Sequence, residues 1–176
     1  MREALARHDA VLRDAIDRHH GVVVSSMGDG VAAVFGSAPD AVAAAFDAQR
    51  EFASDEVGRS GLLRARMGLH TDEGRLRSPS EYVNRPLNRC ARLMAVAHGG
   101  QVLLSDATAA VVRRSLPPDV ELVDLGEHRL RDLADPVRLF QIAHPSLRKE
   151  FPPPRSLTAT PGNLPRQVTT FVGREV

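Results

Sequence analysis

Asp29 stands in Met27-Gly28-Asp29-Gly30, between the apolar, β-branched runs 22–26 and 31–35. Asp-Gly between two such runs signals a hairpin, because both residues tolerate positive φ. The hairpin puts the Asp29 carboxylate at its tip. Two readings stay open there: a turn former, or a hard oxygen ligand for a cation that carries a phosphate. A second placement is Asn88 and Arg92. Four residues apart, they fall one turn apart on the polar side of a helix. Cys90 falls on the apolar side of that helix and reads as a small core residue rather than a nucleophile. His8, His19 and His20 cluster in the first helix. No Cys or His joins them at ligand spacing, so they read as packed or surface histidines.

The elements that must hold these residues follow from periodicity. Helical spacing of Leu5, His8, Leu12, Ala15, Ile16 and His19 predicts a helix over 2–20, ended by Gly21. After the hairpin, Ser37 as N-cap, Pro39 in the first turn and Asp40 three residues after the cap open a helix to about residue 57. Its buried stripe is Val42, Ala45, Phe46, Gln49, Phe52 and Ala53. Alternation predicts a strand over 62–70. A helix is expected over 86–97, with Leu87, Cys90, Ala91, Met94 and Ala97 facing inward, and His98-Gly99-Gly100 stops it. A strand over 101–104, a helix capped by Ser105-Asp106 and running to about 114, and strands over 120–125 and 137–142 complete the order. Strands and helices in this order predict an α+β or α/β fold, a mixed sheet covered by helices.

Composition removes several functional classes. The 176 residues suffice for one domain with a real core, and 43% of them are hydrophobic. A net charge of +1 gives no reason to expect a nucleic-acid partner. With 4% aromatics and no Trp, a base-stacking platform is not expected either. No apolar run is long enough to span a bilayer, and the first residues lack the apolar centre of a signal peptide. Cys90 is the sole cysteine, which excludes a disulfide within the chain and fits a reducing cytoplasm. At His144-Pro145 the character changes: 145–162 reads as a Pro-rich linker. The last stretch, 163–176, is too short to fold alone.

Four of these motifs together resemble the catalytic domain of class III nucleotide cyclases, over residues 1–144. The hairpin from His20 to Phe35 is similar to the family's metal-bearing hairpin. Arg66-Met67-Gly68-Leu69-His70-Thr71 is similar to its central strand. Tyr82-Val83-Asn84-Arg85-Pro86-Leu87-Asn88-Arg89-Cys90-Ala91-Arg92-Leu93 resembles its transition-state helix, and Gly100-Gln101-Val102-Leu103-Leu104-Ser105 its next strand. The tail Asn163-Leu164-Pro165-Arg166-Gln167-Val168-Thr169-Thr170-Phe171-Val172-Gly173-Arg174-Glu175 resembles the start of the signal-transducing ATPase domains of large bacterial transcriptional regulators. It ends before any phosphate-binding Gly-rich loop.

The resemblance implies a ferredoxin-like α+β fold, a mixed and antiparallel sheet covered by helices, and a dimer with sites at the subunit interface. It implies conversion of ATP, with GTP as the alternative substrate, to a cyclic nucleotide and pyrophosphate. Two Mg or Mn ions, held by two aspartates of one subunit, serve that reaction in the family. Asp29 matches the second metal aspartate. Asn88 matches the asparagine that orients the ribose, and Arg92 the arginine that meets charge on the α-phosphate. An arginine suits that role because it is always charged and forks onto phosphate oxygens.

The match also departs from the family pattern. The chain opens on the helix that follows the family's first strand, so that strand and its metal aspartate are expected to be missing and a sheet edge unpaired. Ser25 stands at the purine-reading lysine and Glu81 at the purine-reading aspartate. Asp72 and Asn84 stand at family glycines. The expectation is a degenerate cyclase domain, inactive as this chain alone. The alternatives are a non-catalytic dimerisation or regulatory module of a signalling or transcriptional regulator, and a half-site donor. The donor would give Asn88 and Arg92 to an intact partner in a homodimer or heterodimer.

Overall fold

The protein is described by a computed structural model over residues 2–28, 30–54, 64–72 and 79–157. The first helix, α1 (Arg2–Arg18), buries Val11, Ala15 and Ile16, and His8 stacks on Phe52 with ring centroids 5.2 Å apart. Its end differs from the expected glycine stop. His20, at φ 58°, takes the left-handed position, and its N–H donates to Asp17 O at 3.1 Å. The Gly21 N–H donates to Ile16 O at 2.8 Å, which completes a Schellman closure. Gly21 is required for space instead: a Cβ there would lie 2.4 Å from the Phe35 ring.

The hairpin forms as expected, from β1 (Val22–Met27) and β2 (Gly30–Val34). Met27 pairs with Gly30 across the turn, where Gly28 takes φ 61°. A bulge at Val24 shifts the register between Val23 and Ser25. The next helix, α2 (Ala38–Ser54), is capped where the sequence puts the cap: Ser37 Oγ accepts from the Asp40 N–H at 3.2 Å. It buries Val42, Ala45, Phe46, Gln49 and Phe52 as expected, whereas Ala53, in the last turn of the helix, is exposed.

The remaining strands form a second sheet. In it β3 (Met67–Leu69) runs parallel to β4 (Val102–Ser105). That strand pairs antiparallel with β6 (Val137–Ala143), which pairs antiparallel with β5 (Glu121–His128). The order is β3-β4-β6-β5, and the hairpin is a separate two-stranded sheet. Among the described residues β3 has one hydrogen-bonded neighbour, so the unpaired edge expected from the sequence is present. Strand β5 runs past the expected end at residue 125, because a bulge at Leu125 and Gly126 at φ 84° keep the ladder going.

Two helices complete the layers, α3 (Pro79–Val96) and α4 (Asp106–Val112). Alternation along β4 and β6 sends side chains to both faces. Val102, Leu104, Phe140 and Ile142 pack with Val42 and Phe46 of α2 and with Ala109 and Val112 of α4. On the opposite face Leu103, Val137 and Leu139 pack with Leu93, Val96 and Ala97 around α3. A third cluster joins α1 to α2 through Val11, Ala15, Ala48 and Phe52.

Residues beyond β6 also lie against the body. Phe151 stacks on His98 with centroids 6.4 Å apart, and the Arg155 N–H donates to Val96 O at 3.1 Å. Pro154 and Ser156 are buried, and Ser156 Oγ lies 2.8 Å from His128 Nδ1. The tail over 163–176 lies outside the described residues. Among the described residues no helix is long and apolar enough to cross a membrane.

Candidate active site

Helix α3 carries the candidate residues Asn88 and Arg92, and its course corrects the expected one. The helix begins at Pro79, not near Pro86, and Pro86 lies inside it. A proline lacks the N–H for one helical rung and restricts the residue before it, which is why the sequence points to a start there. The inward face also differs. Leu93 is 1% exposed and faces the core with Val96 and Ala97, while Ala91 is exposed and Met94 is 36% exposed. The apolar stripe of Leu87, Ala91 and Met94 is therefore open or half-open to solvent, and the neighbouring stripe faces the core, with Leu93 and Ala97 buried and Cys90 half-buried.

That rotation places Asn88 and Arg92 at the surface, one turn apart, beside the open apolar stripe. Arg92 Nη2 lies 2.7 Å from Asp132 Oδ2, an ion pair whose side chains are 37% and 64% exposed. Sequence reasoning did not single out Asp132, which comes to α3 from the turn between β5 and β6. The helix is held close to β3 by Gly68. A Cβ on that residue would lie 2.5 Å from Cys90 O and 2.7 Å from the Met94 nitrogen.

The other candidates sit apart from this pair. Ser25 is half-buried on β1, in the hairpin sheet, and among the described residues no hydrogen bond joins it to Asn88 or Arg92. Glu81 falls within the α3 span, but its side chain lies outside the described residues, as does Asp29. Among the described residues no three His, Cys, Asp or Glu side chains are placed to hold a metal ion. Asp29, the residue matched to a metal ligand, lies outside that set.

A polar network missed from the sequence ties the strand ends beneath α3. His70 Nδ1 lies 2.8 Å from Ser105 Oγ, and the Thr71 hydroxyl donates to Thr108 Oγ1 at 3.1 Å. Ser105 Oγ also accepts from the Thr108 N–H, capping α4. The signal for it was there, in Ser105 as a cap and in His70-Thr71 closing β3. Burial lowers the pKa of His70, the nearby Arg89 charge lowers it further, and Asp72 and Asp106 oppose the change. The imidazole is thus held neutral near pH 7, suited to a fixed hydrogen bond.

Burial pushes the Cys90 thiol up to about 11. A raised thiol pKa means that the native group stays protonated while the unfolded chain ionises. Its contribution to stability is present below the ordinary value of 9.0 and is lost as pH rises towards 11. Iodoacetamide at pH 8 is therefore expected to alkylate Cys90 far more slowly in the native protein than in urea. Equal rates would show the thiol to be open.

No family model matches the chain. An uncharacterized protein of Mycobacterium tuberculosis is 51% identical over 113 residues, 64% of this chain and 39% of that protein. The chain thus spans about two-fifths of the curated relatives it matches first, 39% of their length. Among solved structures, an adenylate cyclase from Trypanosoma brucei in its monomeric state superposes with a TM-score of 0.66. It is 27% identical, with 85% of this chain and 83% of that one covered. The guanylyl cyclase Cya2 superposes with a TM-score of 0.63 at 21% identity, covering 88% of this chain and 86% of its own. The element order and the sheets thus have the α+β fold shared by the catalytic domains of class III adenylate and guanylate cyclases.

Proposed function

We propose that this chain is a degenerate nucleotide-cyclase domain that supplies one half of an ATP-cyclising site. Asn88 orients the ribose and Arg92 meets the charge that develops on the α-phosphate as the 3′-hydroxyl attacks and pyrophosphate leaves. A second cyclase-type domain supplies the other half. The observation that carries this reading is the outward face of α3. Asn88 and Arg92 stand at the surface beside an apolar stripe of Leu87, Ala91 and Met94 that this chain leaves open. Such a stripe suits burial against a second domain.

The positions matched to purine recognition support degeneracy. Ser25 offers a short neutral hydroxyl where a charged donor stands in the family, and Glu81 is one methylene longer than the aspartate. Neither fits the adenine-reading or the guanine-reading pair, so GTP remains the alternative substrate. Mg or Mn would be carried by the two aspartates of the partner, and Asp29 would serve the other site of the dimer. The reaction belongs to intracellular signalling, in keeping with a cytoplasmic location.

The test is complementation. The partner is a cyclase domain that keeps both metal aspartates, with its helix asparagine and arginine replaced by alanine. With ATP and manganese, each protein alone is expected to give no cyclic AMP, and the mixture is expected to give product. A silent mixture of two folded proteins would reject the half-site. Product from this chain alone would reject degeneracy.

A further inference from the structure

The turn between β5 and β6 is fastened to α3 by two leucines. Leu130 is 1% exposed and belongs to the cluster of Leu93, Val96 and Ala97, and Leu133 packs at the margin of that cluster. The Leu133 N–H donates back to Leu130 O at 3.4 Å, which closes the turn. Between the leucines Asp132 takes a left-handed backbone, φ 60°, and its Oδ2 lies 2.7 Å from Arg92 Nη2. Asn or Gly suits a left-handed backbone as well as Asp does. What the carboxylate adds at this place is charge. At these exposures an ion pair adds little to stability. Its effect falls instead on what else Arg92 can hold.

We propose that Asp132 is an internal counter-ion of Arg92, which occupies the guanidinium in the nucleotide-free protein and must be displaced by a triphosphate. The inference rests on the reading of Arg92 as the group that meets phosphate. Carboxylate and phosphate oxygens compete for the same N–H donors. A carboxylate left beside the site also repels the incoming anion. The leucine anchors make the competition local, because they hold the turn on α3 whether or not Asp132 keeps its contact. Asp132 thus sets a threshold for nucleotide without touching the reacting atoms.

The experiment follows Arg92 directly. Arginine modification by phenylglyoxal is read by peptide mass spectrometry, in the mixture with the metal-bearing partner domain and with ATP varied. Arg89, exposed on the same helix, is the internal reference. The Asp132→Asn variant keeps a residue suited to the left-handed backbone, so the turn survives. Without ATP, Arg92 is expected to react about fivefold faster in Asp132→Asn than in the native chain. ATP is expected to protect Arg92 in both, with half-protection in the variant at about one-fifth of the native concentration. Equal rates without ATP would show that the contact is not held in solution, and the proposal would fall. Faster labelling with unchanged half-protection would show that Asp132 does not compete with nucleotide; the proposal would fall while the role of Arg92 stood. Absence of protection in both proteins would overturn the phosphate-facing reading of Arg92 itself.

Discussion

The Arg92→Ala variant is expected to lower cyclic AMP formation in the complementing mixture by about 100-fold or more, the usual loss when one donor to a developing charge is removed. The fold should survive, since the side chain is 37% exposed and its pair with Asp132 lies at the surface. Circular dichroism and the denaturation midpoint would stay at native values. Arg92→Lys keeps the charge but loses the planar fork, and should recover part of the rate. Full turnover with Arg92→Ala would remove the arginine from the site, whatever the fold.

The Gly68→Ala variant is expected to act through structure and to cost about 3 kcal/mol, at the upper end of overpacking penalties. The new Cβ would lie 2.5 Å from Cys90 O, 2.7 Å from the Met94 nitrogen and 2.9 Å from Leu93 Cβ. Two of these atoms are backbone, so relief requires moving β3 or α3 as a body. Against a total stability of about 5–15 kcal/mol, that loss is large. Gly36→Ala is the control, because nothing lies within 4 Å of a Cβ there. Equal urea midpoints for the two variants would show that α3 does not approach β3 as described. Loss of complementation by Gly68→Ala would then follow from displacement of the helix that bears Asn88 and Arg92.

What the sequence made legible was local. The hairpin and the Ser37 cap are written in neighbouring residues, and each formed close to its expected bounds, whereas the alternation over 62–70 yields only the short β3, Met67–Leu69. The face of α3 was not legible in that way. Leu87, Ala91 and Met94 form one apolar row and Cys90, Leu93 and Ala97 the next, so spacing alone left two rotations of nearly equal merit. Tertiary packing of Leu93 against Leu103, Leu130 and Leu139 decided between them. Pro86 misled because a proline marks a helix start more often than an interior. Asp132 was invisible for a different reason: its meaning comes from a contact with a helix far away in the chain. A left-handed aspartate in a turn looks, by itself, like any turn former.

The division of the strands into two sheets bears on how the molecule opens. A hairpin of two strands is marginal in water when it stands alone. Here β1 and β2 are hydrogen-bonded to each other, and α1 packs on both of them and on α2. The hairpin can thus come away with α1 without breaking one ladder bond of the four-stranded sheet. Its opening would break the docking of α1 on Ala48, Phe52 and Met67 and the contacts of Arg7 with Glu51 and of Arg18 and His19 with Asp47, at less than the cost of unfolding the whole. Such an opening would release Ser25 while leaving Asn88 and Arg92 on α3 against the four-stranded sheet. Binding of a second domain across both sheets would make them open as one.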